Sequence, residues 1–222
     1  MAKLILIPTP IGNLEDITLR SIRMLRECDF LLAEDTRVTK KLLSHLNITK
    51  QVFSFHTHNE HKILDQVIAK ITEVNQVGLV SDAGTPGISD PGFLLIRSCI
   101  LKGIQIECLP GPTSVIPALV VSGFPTDRFV FEGFLPHKKG RKSRIQEICL
   151  EKRTSVIFES PHRVQKLLQQ LKENINPFRQ IAIIREISKL YEEVWRGNIE
   201  DLIKMSEKKE LKGEIVVVIS AE

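Results

Sequence analysis

The chain has 222 residues, 42% of them hydrophobic and 26% charged, with a formal net charge of +4. That length supports a full hydrophobic core and one or two domains, and the balance is that of a soluble globular protein. No apolar run approaches the roughly 18 residues of a membrane helix, and a mildly basic sum points to nucleic acid only where the charge clusters.

No signal-peptide pattern opens the chain, so the expected compartment is the cytoplasm. The four cysteines, Cys28, Cys99, Cys108 and Cys149, form no Cys-x-x-Cys pair. They read as free, mostly buried thiols in a reducing compartment, and no metal site is expected.

The first half alternates strand and helix patterns. Residues 3–7, 30–33, 51–55, 77–80 and 104–109 read as short buried strands. Helical spacing occurs over residues 18–27, near 39–46, over 60–74, over 92–102 and near 114–121. Asp16 or Thr18 is the expected cap of the first helix and Asn59 that of the third. This alternation predicts a largely parallel sheet covered by helices. The turn-rich segment 123–127 is the expected boundary, giving domains of residues 1–122 and 123–222. Beyond it, strand patterns at 128–132, 154–158, 180–185, 192–196 and 214–220 mix with helices at 143–150, 163–173 and 199–207. Strands succeed one another toward the end, which predicts a mixed sheet in an α/β fold.

Three strands end in Pro/Gly loops: Pro8-Thr9-Pro10-Ile11-Gly12-Asn13, the run from Asp82 to Gly92, and Pro110-Gly111-Pro112-Thr113-Ser114. Such loops are stiff and let backbone approach a ligand, and open α/β sheets bind ligands beyond the carboxyl ends of their strands. One loop alone could be a plain strand-to-helix turn; three together suggest a small-molecule site. Neither Gly-x-Gly-x-x-Gly nor a P-loop is present, so an ordinary dinucleotide or ATP site lacks its main signature.

Ala33-Glu34-Asp35-Thr36-Arg37 follows a strand and suits proton handling or substrate grip; it equally suits a capped helix start. The three histidines of His56-Thr57-His58-Asn59-Glu60-His61 are weak evidence for a metal, and a polar loop is the better reading. His137 to Arg144 carries five Lys/Arg in eight residues, a phosphate-neutralising run or a solvated loop. Glu159-Ser160-Pro161-His162-Arg163 and Arg185-Glu186-Ile187-Ser188-Lys189 again put charges at strand ends. Trp195 reads as core or interface rather than a base-stacking platform.

Taken in order, these segments resemble the tetrapyrrole-methylase-like, class III methyltransferases that use S-adenosylmethionine. The resemblance rests on residues 7–16, 33–37, 58–60, 81–92, 110–114, 131–136, 158–163 and 185–189, and runs over nearly the whole chain. It is strongest to the branch that methylates a cytidine ribose 2′-OH in the decoding region of 16S rRNA, position 1402 in the usual rRNA numbering. The resemblance implies two α/β domains with the cofactor in the cleft between them, usually a homodimer, and a 30S ribosomal subunit as partner. By the same analogy, cofactor contacts fall on Pro8, Thr9, Pro10, Gly12, Asp82, Gly84, Thr85, Pro86, Ile88, Pro112, Thr113 and Ser114. Further ones fall on Phe131, Phe158, Ser160 and Gly213. Thr113 stands where a Ser is common, and many members continue in a helical segment beyond the strand at 213–219.

A ribose hydroxyl is a poor nucleophile at neutral pH, so a carboxylate, or a lysine of lowered pKa, is expected to take its proton. Glu34, Asp35, Glu159 and Glu186 are the candidates for that base. Arg37, Arg185 and Lys189 would hold phosphate or stabilise charge, and Lys138, Lys139, Arg141, Lys142 and Arg163 would grip RNA. Two other readings stand beside this one. One keeps the cofactor and methylates a tetrapyrrole or other small acceptor. The other is a non-catalytic RNA-binding ribosome-assembly factor, whose RNA binding would ignore the cofactor.

Overall fold

A computed structural model describes residues 2–57 and 59–222. The chain divides into two compact units, residues 1–113 and 114–222.

In the first unit, β1 (Lys3–Leu6), β2 (Phe30–Ala33), β3 (Val52–Ser54), β4 (Gln76–Val80) and β5 (Gln105–Cys108) form one parallel sheet in the order β3-β2-β4-β1-β5. The alternation of side chains along each strand assigns its two faces. Leu4, Leu6, Leu32 and Leu79 pack with α3 (Glu60–Thr72) and α4 (Phe93–Leu101). Ile5, Ile7, Leu31 and Val80 pack with α1 (Leu19–Glu27) and α2 (Thr36–His45). With helices on both faces, the inner strands β1, β2 and β4 need apolar residues in both registers, which is why they read as near-continuous hydrophobic runs, whereas the edge strand β5 carries Gln105 and Glu107. All carboxyl ends lie at one edge, so the loops after β1, β2, β4 and β5 open together.

Gly78 in β4 has a packing reason. A Cβ there would lie 2.6 Å from Leu31 Cδ2, 2.9 Å from Ile7 Cδ1 and 3.3 Å from Cys28 Sγ. Leu31, Ile7 and Cys28 are wholly buried and have no room to retreat. Gly78→Ala should therefore destabilise the protein by about 1–3 kcal/mol through overpacking. Urea unfolding checks this; an unchanged midpoint would show that the face has slack.

In the second unit, β6 (Phe129–Phe134), β7 (Thr154–Glu159), β8 (Ile181–Arg185), β9 (Glu193–Gly197) and β10 (Ile215–Ile219) form a mixed sheet in the order β6-β7-β10-β8-β9. Only β6 and β7 run parallel. The facing residues Trp195, Ile183, Val217 and Ile157 pack with α6 (Arg141–Leu150), α7 (Val164–Lys172) and α8 (Ile199–Lys208). On the opposite face Arg196 donates to the carbonyls of Val121 and Ser122 at the end of α5 (Val115–Ser122). That contact puts α5 with the second sheet, and the chain divides before this helix rather than at 122/123. The cause is tertiary: α5 is apolar nearly all round, and its own sequence does not say which sheet buries it.

Smaller departures have local causes. α2 starts at Thr36 rather than near residue 39, because Asp35 accepts from the Arg37 N–H (2.8 Å) and caps it. Thr18 caps α1 through the Ser21 N–H. Asn59 does not cap α3; its side chain instead accepts from the His56 N–H (2.8 Å) and closes the preceding turn. His58, part of the expected histidine loop, lies outside the described residues. Two single 3-10 turns, Leu14–Asp16 and Pro161–Arg163, have no expectation from the sequence. Trp195 is buried in the core, its indole N–H on Glu193. The four cysteines are free, and burial pushes Cys28 up to about 12 and Cys99 and Cys149 to about 11.

Candidate functional site

Three of the expected loops of the first unit interlock. Thr9 and Gly84 exchange both backbone hydrogen bonds, at 3.0 and 2.9 Å. The Thr9 hydroxyl donates to Ser81 O (3.1 Å) and the Thr85 hydroxyl to Pro112 O (3.4 Å). Gly111 lies so close to the Pro8 ring that a Cβ would come within 2.6 Å of it. Gly84 has φ +81°, the left-handed region that glycine adopts without strain. The loops after β1, β4 and β5 thus form one surface of backbone and hydroxyl groups. Of the other expected contacts here, Pro86 is buried and Ile88 half exposed, and Pro10 and Gly12 line the cavity beside α2. Thr113 ends this unit.

The fourth loop brings carboxylates to the same edge. The register Ala33 opposite Val80 sets the end of β2 beside that of β4. Asp35 N–H donates to Asp82 Oδ1 (3.1 Å), and Asp82 N–H donates to Glu34 Oε2 (3.4 Å). Burial pushes the Glu34 carboxyl above its ordinary value; the Asp82 N–H opposes the rise and the Asp82 charge adds to it. Burial likewise raises Asp82. Asp90 is pushed up to about 7, by burial first and then by the Glu34 charge. Sequence reasoning gave Asp90 no role, although it lies in the same Pro/Gly loop.

Asp35 is different. The Arg37 side chain grips it, with Nη2 2.6 Å from Oδ2, and this contact, with the Arg37 N–H, brings its pKa down to about 2. A carboxylate so held is a weak proton acceptor. Asp35 is a cap that fixes Arg37, whose side chain stays largely exposed.

The second-unit candidates are mostly committed to one another. Glu159 is buried, with Arg141 Nη2 at 2.7 Å and Arg163 Nε at 2.9 Å, and accepts from the Ser160 N–H (2.9 Å). Arg141 also reaches Gln170 and is itself buried. The expectation of Glu159 as a base and Arg141 as an RNA contact does not fit this geometry, because both side chains are spent inside the fold. Arg163 pairs with Glu159 and with His137 (2.9 Å). Lys138, Lys139 and Lys142 stay exposed.

Glu186 is also held. Its Oε1 accepts from the Glu214 N–H and from Lys189 Nζ, each at 2.9 Å. Burial acts to raise its pKa, but these partners outweigh that and keep it low, so it too makes a poor base. Glu186 and Ser188 have φ +53° and +66°. Gly213 is packed on the Glu186 carboxyl and leaves no space for a Cβ. Arg185 bonds the Lys212 carbonyl (3.3 Å) and approaches Glu193 (3.4 Å). Burial acts to lower Lys189, yet Glu186 and Glu214 raise it overall, which removes it as a neutral amine base. Phe131 and Phe158 meet edge to face, 5.0 Å apart, on the half-exposed part of the sheet, and Ser114 starts α5 without a side-chain cap.

Residues 3–203 match the tetrapyrrole (corrin/porphyrin) methylases. The chain belongs to the tetrapyrrole methylase family. It is 45% identical over 222 residues to a Thermotoga maritima protein named ribosomal RNA small subunit methyltransferase I, with all of both chains covered. An Escherichia coli O157:H7 protein of the same name is 41% identical over 220 residues, covering 98% of this chain and 77% of that one. The solved uroporphyrin-III-C-methyltransferase from Thermus thermophilus superposes with a TM-score of 0.70 at 22% identity, covering 99% and 94% of the two chains. At that identity the likeness concerns the α/β fold alone.

As a tetrapyrrole methylase the chain is a methyltransferase, and members of the family normally use S-adenosylmethionine. The donor set fits such a cofactor. Neutral backbone and hydroxyl groups on the interlocked loops suit its polar edges, and Glu34, Asp82 and Asp90 suit a cationic ligand. Among the described residues, no cluster of three or more His, Cys, Asp and Glu side chains could hold a metal, and no helix is long and apolar enough to cross a membrane.

Proposed function

We propose that this chain is an S-adenosylmethionine-dependent rRNA methyltransferase of the small ribosomal subunit, acting on the ribose 2′-oxygen of a cytidine in the decoding region. The names of the full-length relatives support the rRNA substrate. The observation that carries the chemistry is Glu34. Among the four carboxylates considered as base, it alone combines a place beside the interlocked loops with a raised pKa.

The cofactor supplies a methyl group on a sulfonium, already electrophilic, and leaves as a neutral thioether. The protein then has two tasks, to hold the ribose oxygen in line and to take its proton. Glu34, as a carboxylate, would take the proton of the ribose hydroxyl while that oxygen accepts the methyl group the bound cofactor would supply. Asp82 fixes Glu34 through its N–H, and Asp35 fixes Asp82 in turn. Pro8, Thr9, Gly84, Thr85 and Pro112 are the first-unit cofactor contacts we propose, with Phe131, Phe158, Ser160 and Gly213 as further ones. Lys138, Lys139 and Lys142 are proposed phosphate contacts, a homodimer the working form, and the cytoplasm the compartment.

The test is transfer of labelled methyl from S-adenosylmethionine to 30S subunits from a strain lacking the corresponding methyltransferase, followed by mapping of the modified nucleotide. A 2′-O-methylcytidine in the decoding region is the expected product. Intact cofactor binding with no transfer would overturn the rRNA assignment.

A further inference from the structure

A cavity of about 250 Å³ opens in the first unit between the loop after β1 and helix α2. It lies below the roughly 300–1,000 Å³ of a site for a drug-sized ligand, so it suits one compact moiety. Its lining is ordered by chemistry. Thr9, Ser81 and Asp82 supply polar groups from the strand ends. Leu14 and Val38 supply apolar walls, although they are 44% and 39% exposed, more than a core role would leave them. Lys41 supplies a cation and His45 an imidazole.

The helix is built for this. Val38, Lys41, Leu42 and His45 stand at i, i+3, i+4 and i+7, which is one face of α2. Thr39, Leu42 and Leu43 are its buried residues. α2 therefore carries a core face and a second, cavity-lining face, with Thr39 and Leu42 at the seam. A carboxylate, apolar walls and a basic side match the amine, ring faces and phosphate of a nucleotide. A base lifted from its strand needs such a slot, with apolar contact for its faces and hydrogen bonds for its edge.

We propose that this cavity seats the acceptor nucleoside of the RNA, with Lys41 and His45 taking its backbone phosphate and Asp82 accepting from the exocyclic amine of cytosine. The amine contact follows the chemistry by which a carboxylate reads cytosine and not uracil. This inference rests on the rRNA reading above and specifies where its substrate sits.

Two variants test it, each assayed for methyl transfer to 30S subunits and, separately, for S-adenosylmethionine binding. Val38→Trp fills the cavity from an exposed position and should leave folding intact. It is expected to lower kcat/KM about a hundredfold by displacing the nucleoside, with the cofactor dissociation constant unchanged. Lys41→Ala should raise KM for 30S subunits and lower the salt slope of log KM by about one, as loss of one phosphate contact does. Loss of cofactor binding in step with activity in Val38→Trp would assign the cavity to the cofactor instead. Wild-type behaviour of both variants would leave it without a substrate. Failure of the unaltered protein to methylate 30S subunits would overturn the rRNA reading itself, and this occupant with it.

Discussion

Glu159→Ala should cost about 3–5 kcal/mol of stability, the usual result of stripping one partner from a buried ion pair. Its side chain is fully buried and carries two guanidinium contacts. Removal leaves the Arg141 charge inside the fold with the neutral Gln170 and the distant Pro136 carbonyl (3.5 Å) as partners. The effects of Arg141→Met and Glu159→Leu should be far from additive, since the double variant removes both buried charges and leaves the partly exposed Arg163, which also meets His137, without its carboxylate. Denaturant unfolding of the two singles and the double checks this. A loss below about 1 kcal/mol for Glu159→Ala would mean that the pair is not structural, and would reopen Glu159 as a proton acceptor.

The second large effect is on turnover. Glu34→Gln should lower the methyl-transfer rate by roughly 100- to 10,000-fold, the range a general base contributes. Cofactor binding should persist, because the amide can still accept from the Asp82 N–H. The pH profile adds a sign. A base works only when ionised, and burial raises the Glu34 pKa. The wild-type rate must therefore rise with pH through a value above the ordinary carboxylate range, and Glu34→Gln must lose that limb. Asp35→Asn is the contrast. Asparagine caps a helix as well as aspartate does, and Asp35, held down to about 2, has little basicity to lose. Full turnover by Glu34→Gln would remove Glu34 from the mechanism. A loss in Asp35→Asn as deep as that in Glu34→Gln would return the role to Asp35.

These two expectations also mark how far the sequence could be read. The strand-to-helix alternation and the Pro/Gly loops were visible in the chain, and the loops do meet, through the Thr9–Gly84 bridge and the Thr85–Pro112 bond. The four carboxylates looked alike. Glu34, Asp35, Glu159 and Glu186 each sit at a strand end with an arginine within four residues in sequence. Nothing in that pattern separates a base from a cap or a buried clamp. Asp90 went without a role because its raised pKa comes from burial and from Glu34, far away in sequence. Arg141 sat in a basic run that looked uniformly solvated, yet it alone of that run is buried, against Glu159.

The sequence by itself determined most of the elements, the sheet classes and the Pro/Gly loops at the strand ends, because periodicity, capping and Pro/Gly placement act over a few residues. The tertiary structure decided which sheet buries α5, which carboxylates are raised by burial and which arginine turns inward. Those outcomes depend on burial and on partners tens of residues away, and desolvation and pairing set the energy of a charge only once the fold has brought them together.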